Sequence, residues 1–254
     1  MGNFAGYPSA VITGTPGKSG RIQGLGVVAP PPFSPLDISD IIFWLDPISA
    51  FITLNGQDVS LWADRSAESN DLIQVTGGLQ PLYVTPGGAP PFVMFDGTSD
   101  FMATASFTGG NQIQANTIFL VAQQRSLLGA SAIWVDGLGS TGRHQFLSND
   151  TDYQMFAVGG SAIVGVSNLN KNILVMIFNS TSSKLLINGG TASTVTIGGD
   201  FWSGMTLGAR FSGTVLANID VYEMTAYTKT LNASETNLVG NFLANKHSLT
   251  WTDI

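Results

Sequence analysis

The stretch VLANIDVYEMTAYTKTLNASETNLVGNFLANKHSL, residues 215–249, decides the fold. Within it, residues 219–227 are dense in β-branched and aromatic side chains, which suits a packed, pleated strand. Asn232 stands three residues before Glu235, the spacing of a capping box in which each side chain satisfies an orphan N–H at a helix start. Leu238, Val239, Phe242 and Leu243 then recur at helical spacing and predict one apolar stripe. Lys246 and His247 fall in the last turn, where positive charge complements the helix dipole. This is the one convincing helix of the sequence, and it predicts a lid packed on a β-rich body.

Upstream of it the chain reads as a ladder of short strands. The predicted strands are 40–46, 59–62, 81–84, 92–95, 117–123 with 131–136 as its partner, 144–147, 153–158, 173–179, 184–187, 194–197 and 205–208. Asn55-Gly56, Asp96-Gly97, Gly159-Gly160, Asn188-Gly189-Gly190 and Gly198-Gly199-Asp200 punctuate them as turns. Many short strands at regular spacing indicate an all-β antiparallel sandwich or jelly roll rather than alternating β and α units. Residues 1–35 differ. They are rich in Gly and Pro, end in APPPFSP, and show no apolar period. Such a segment, without a core of its own, is ordered only when something holds it. It reads as an extended arm anchored on neighbouring subunits through Phe4, Tyr7, Ile12, Ile22 and Val27, with Pro30 to Pro32 as a stiff polyproline spacer. Residues 36–254 form the globular domain.

Composition narrows the function. Apolar residues make up 44% and charged residues 11% of 254, so a core can be filled but the surface is largely neutral and polar. That surface suits proteins packed against other subunits or working outside the cell. A net charge of −7 with ten scattered basic residues argues against nucleic-acid binding. No apolar run approaches the ~20 residues of a membrane span, and no basic segment followed by an apolar one reads as a signal peptide. The absence of cysteine excludes disulfides, thiolate metal sites and a cysteine nucleophile.

Taken together, the blocks resemble a known family. WLDPIS at 44–49, VSLWADRSAESNDLIQ at 59–74, QPLYV at 80–84 and FVMFDGTSDFM at 92–102 are similar to successive blocks of laminin-G-like, concanavalin A-like jelly rolls. TIFLVAQ at 117–123, KLLINGG at 184–190, MTLGAR at 205–210 and the closing strand and helix follow in that family's order. The resemblance covers nearly all of residues 40–251 and leaves out the arm. It implies a lectin-like jelly roll of the type found in tailed-bacteriophage virion proteins and in secreted carbohydrate-binding or adhesive proteins. Functions within such a fold vary widely.

Four groups of residues could carry chemistry. Glycoside hydrolysis needs two carboxylates facing one cleft, and the chain has three glutamates, Glu68, Glu223 and Glu235. Glu68 lies in a polar loop and Glu235 caps the helix. Asp220 and Glu223 are an odd number apart, so on a regular strand they point to opposite faces. His144 and His247 are isolated, and no G-x-S-x-G elbow or phosphate loop is present. The chain is therefore expected to be non-catalytic. Two oxygen-rich loops, carrying Asp64 and Asp71 and then Asp96 and Asp100, suit Ca²⁺; the plainer reading is that these carboxylates bond their own turns. No other cofactor is implied. Trp44 and Trp62 belong to core strands, whereas Trp202, in GGDFWSGM, and Trp134 are candidate platforms for a sugar ring.

The function these features predict is a structural subunit of a bacteriophage virion (decoration, head-fibre or tail-associated). It is made in the host cytoplasm, anchored to other virion subunits through residues 1–35, and homo-oligomeric, with a trimer the plausible form. The alternative is a carbohydrate-binding adhesin or tail-fibre tip whose partner is a cell-surface glycan.

Overall fold

The computed structural model describes residues 32–127 and 131–254. The expected anchors Phe4, Tyr7, Ile12, Ile22 and Val27 lie outside the described residues. The strands are β1 (Ile41–Leu45), β2 (Ile52–Asn55), β3 (Asp58–Trp62), β4 (Leu72–Ile73), β5 (Leu82–Val84), β6 (Phe92–Asp96), β7 (Met102–Ala103) and β8 (Asn116–Gln124). They continue as β9 (Ala132–Asp136), β10 (His144–Ser148), β11 (Asp152–Ala157), β12 (Gly160–Val166), β13 (Lys171–Phe178), β14 (Ser183–Ile187), β15 (Ser193–Val195), β16 (Thr206–Leu207) and β17 (Asn218–Tyr227). One helix, α1 (Ala233–His247), follows. The all-β antiparallel sandwich with a short C-terminal helix is what the sequence predicts.

Two layers share the strands. The first runs β15–β14–β13–β8–β17, and the far edge of β17 is divided between two partners. Its C-terminal half pairs with β1 and its N-terminal half with β6, which continues to β5. The second layer runs β12–β11–β10–β9–β16–β7–β4, and β3 bridges the layers by pairing with both β4 and β5. One expectation fails here: β8 pairs with β13 and β17 and not with 131–136, because both of its edges are taken in the centre of the first layer.

The core between the layers is large and aromatic. Trp62, Trp134, Trp202, Phe43, Phe95, Phe146 and Tyr153 are fully buried there, each stabilising the fold by roughly 2–3 kcal/mol. A second core lies outside the first layer, where α1 covers Phe119, Val121, Val175, Leu186 and Tyr227. The capping box forms as predicted: Asn232 Oδ1 accepts from Glu235 N and Glu235 Oε2 accepts from Asn232 N, both at 3.0 Å. The buried face of α1 is rotated from the expected stripe. Val239 and Leu243 are buried, but Leu238 is 46% exposed. Gly240 and Ala244 take its place, and a Cβ on Gly240 would stand 2.2 Å from the Trp251 ring. Small residues bring the helix down onto the tail and the sheet. The chain joins this unit at Phe33, whose ring meets Phe242 at 6.0 Å, and Pro35, whose carbonyl accepts from Tyr227 Oη at 3.1 Å. No helix among the described residues is long and apolar enough to cross a membrane.

Candidate functional site

One carboxylate stands where strict alternation along β17 forbids it. Pairing of β17 with β8 slips between Val221 and Glu223, so Tyr222 is an extra residue. A bulge of this kind resets which side chains share a face. Ile219, Val221, Met224 and Ala226 point into the main core. Asp220 opposes Gln123, and Glu223 opposes Val121, on the helix side. Asp220 and Glu223 therefore share one face, contrary to the reading from strict alternation.

Glu223 is fully buried under α1 and holds a charged network together. Its Oε1 accepts from Trp44 Nε1 at 2.6 Å; its Oε2 contacts His247 Nε2 at 2.7 Å and Lys246 Nζ at 2.8 Å. Lys246 also reaches Asp46 Oδ2 at 2.7 Å, and Arg65 pairs with the same Asp46 while stacking 3.8 Å from the Trp44 ring. Burial opposes the charge on Glu223, but the His247 hydrogen bond and Lys246 outweigh it and hold the carboxyl below the usual glutamate range. Lys246 and His247, expected only to complement the helix dipole, thus lock the helix to β1 and β17. Asp220 on the same face is paired with Arg125 at 3.0 Å, and burial pushes its carboxyl up.

Trp202 is fully buried, 4.9 Å from Phe107 and 5.9 Å from Phe43 by ring centroids, and its ring stacks 5.7 Å from His144. Trp134 is equally buried, its Nε1 donating to Ser148 Oγ at 2.9 Å. Neither ring is accessible to a sugar, which corrects the expectation of platforms: both fill the core, as large apolar surfaces do. His144 sits between Phe178 and Trp202, and burial drives its pKa down to about 4, leaving it neutral at ordinary pH.

The aspartate loops turn inward on their own backbones. Asp64 accepts from Trp44 N, Ser66 N, Ser66 Oγ and Asn70 N, and Asp71 Oδ1 accepts from Asp64 N at 2.8 Å. Asp96 accepts from the amides of Thr98, Ser99 and Asp100, while Asp100 accepts from Asp96 N. Burial works against the charge of Asp96, but those amides hold it below the usual range; burial pushes Asp100 up. Carboxylates filled by N–H donors fix the turns and have few oxygens to turn toward Ca²⁺. Among the described residues no group of three or more His, Asp or Glu side chains is arranged to hold a metal.

A different cluster stands on the outer face of the second layer. Along β10 and β11 the side chains of His144, Phe146, Tyr153 and Met155 are buried toward the core, and alternation puts Gln145, itself buried, and the half-buried Gln154 and Phe156 on the opposite face. Gln145 and Phe156 are register partners. Arg143, at the entry to β10, binds the buried Asp136 with two bonds, Nε to Oδ1 at 2.8 Å and Nη2 to Oδ2 at 3.0 Å. Gln145 Nε2 and Phe211 N reach the same Oδ2, at 3.2 and 3.1 Å. The Arg143 guanidinium lies 5.1 Å from the ring centroids of both Phe156 and Phe211, and that of Arg210 lies 5.3 Å from Phe211. Two half-buried rings are thus held in place by one neutralised ion pair, with amides beside them. Sequence reasoning missed every member. The signal was present in YQMF, residues 153–156, where an amide and an aromatic, Gln154 and Phe156, fall two residues apart on one face. Asp136, Arg143 and Phe211 meet only through the fold.

No protein-family model matches the chain, and no curated protein is similar to it in sequence. Solved structures do share its fold. The binding domain of paraclostridial mosquitocidal protein 1 superposes with a TM-score of 0.58 at 15% identity, covering 81% of this chain and 53% of that one. The binding domain of botulinum neurotoxin DC, in complex with SialylT, gives 0.58 at 11%, covering 81% and 52%. Trypanosoma rangeli sialidase gives 0.55 at 16%, covering 84% and 34%. The chain thus spans about a third of the sialidase and half of the toxin domains. At these identities the likeness is one of fold, a β-sandwich. It also corrects the expectation of a non-catalytic chain. Sialidases contain this fold, and the alternation argument that separated Asp220 from Glu223 fails at the bulge.

Proposed function

We propose that the chain is a glycan-binding β-sandwich module whose sugar site is the outer face of the second layer, around Phe156 and Phe211. The observation that carries this reading is the pair of half-exposed rings locked by Arg143 and Asp136 beside Gln145. Sugars present apolar C–H faces that stack on aromatic rings and hydroxyls that bond amides and guanidinium groups, and a face fixed in advance loses little entropy on binding. The sialidase, also solved in complex with sialic acid, and the toxin domain in complex with SialylT lend support as proteins of this fold that meet sugars. The virion-subunit reading depends on an arm outside the described residues, and these neighbours lend it nothing; the adhesin reading is the better supported.

The test is a screen of the full chain by saturation-transfer NMR against neutral and acidic oligosaccharides. Phe156→Ala and Phe211→Ala should each weaken a detected sugar about tenfold, near the upper end of what one aromatic contact supplies. Absence of binding at millimolar sugar, or unchanged affinity in both folded variants, overturns the proposal.

A further inference from the structure

Most basic side chains among the described residues of this acidic chain are engaged. Arg65 and Lys246 pair with Asp46, Arg125 with Asp220, Arg143 with Asp136, and Lys229 with Asp40 and Glu235. Lys171 donates to the His247 carbonyl at 2.8 Å. Lys184 lines a groove of about 640 Å³ together with Ile177, Leu186 and Leu231, without an aromatic ring. Arg210 is different. It is exposed, it forms no ion pair among the described residues, and it lies against the Phe211 ring of the face described above.

The carboxylates around Arg143, on the same face, are already committed elsewhere. Asp136 takes bonds from Arg143, Gln145, Gly137 N and Phe211 N. Asp200 takes bonds from the amides of Gly142, Arg143 and Phe201. The turn that presents Arg210 is closed at both ends: Arg210 N donates to Thr214 O at 2.8 Å and Gly213 N to Arg210 O at 2.7 Å. Gly213 supplies the left-handed φ of 69° that the turn requires. A guanidinium stacked on a ring and carried by a closed turn is prearranged to offer its planar fork to two oxygens.

We infer that Arg210 makes this face selective for anionic sugars, which it recognises by a carboxylate or sulfate group held next to the ring stacked on Phe211. The inference rests on the sugar-binding reading above. The shared chemistry is an oxyanion on a sugar, and the two sources are separated by the choice of probe.

The full chain is titrated calorimetrically with a sialic-acid-terminated trisaccharide, with its carboxyl-reduced form, and with a neutral disaccharide and its sulfated derivative. One anionic probe is expected to bind at least tenfold more tightly than its neutral counterpart at low salt, with the advantage shrinking as salt rises. Arg210→Gln should remove that advantage and leave binding of the neutral sugar unchanged. Preference for the carboxylate or for the sulfate supports the inference and names the group. Equal affinity for charged and neutral forms overturns it while sugar binding stands. No binding of any probe overturns both. An Arg210→Lys variant that retains the charge but loses most of the preference supports fork recognition over charge alone.

Discussion

Glu223→Gln tests the charged lock beneath the helix. The change keeps the shape of a fully buried side chain and removes its charge. Three donors converge on the carboxylate, from Trp44, Lys246 and His247, all within 2.8 Å. A glutamine can accept with one oxygen only, and its amide turns a donor toward donors. Removing one partner of a fully buried charge pair costs about 3–5 kcal/mol. Lys246 keeps Asp46 at 2.7 Å and is 26% exposed, so it is not stranded. The expected loss is therefore about 2–4 kcal/mol, or a fall in Tm of roughly 5–15 °C for a chain of this size. Urea unfolding at neutral pH, followed by tryptophan fluorescence and by circular dichroism, measures it. The pH dependence carries a fixed sign. Glu223 has a folded pKa below its unfolded value, so its contribution is complete above the ordinary glutamate range and is lost as pH falls through the folded pKa. The difference between wild type and variant should shrink below about pH 4. A loss under about 0.5 kcal/mol, the level of an ordinary surface change, would refute the lock. So would a difference that stays constant into acid.

Three further outcomes follow from the same geometry. Gly240→Ala should destabilise by about 1–3 kcal/mol in thermal melts, because overpacking against Trp251 outweighs the gain in helix propensity. Trp202→Ala should cost about 3–5 kcal/mol in denaturant titrations as a core truncation, and wherever the variant folds its sugar affinity should match wild type. Calcium or a chelator should move Tm by less than about 1 °C, whereas a site saturated a hundredfold would add about 2.7 kcal/mol; a rise of several degrees would reopen Asp64, Asp71, Asp96 and Asp100 as ligands.

Local rules were legible in the sequence, and non-local ones were not. The capping box of Asn232 and Glu235 is a four-residue pattern and forms as read. Most strands are short apolar runs between turn residues and appear within a few residues of their expected bounds. β12 was missed because GSAIVGV mixes two glycines with apolar residues that are exposed, Ile163 and Val166, as well as buried, Val164, so its period is weak. The bulge at Tyr222 leaves no mark in the apolar pattern, since VYEM reads equally well as regular alternation. That one extra residue reversed the inferred direction of Glu223, and with it the reading of His247 as isolated. The candidate sugar face was hidden for a related reason. Asp136, Arg143, Phe156 and Phe211 come from four separate segments, and the tryptophans that drew attention in the sequence are the residues a core needs most.

The position of β17 also bears on how the chain is made. It lies between β8 on one side and β1 and β6 on the other. On the ribosome, β1 and β6 emerge first and β8 soon after, yet none of them can join the others until β17 is released. Trp44 reaches Glu223 across 179 residues of chain. Vectorial synthesis therefore leaves the edges of β1, β6 and β8 that face β17 unpaired until it emerges, the state in which open edges find wrong partners. Closure waits on a single late strand, so the amides of β1, β6 and β8 that pair with β17 should become protected from hydrogen exchange together, after β17 has emerged, rather than in the order of synthesis.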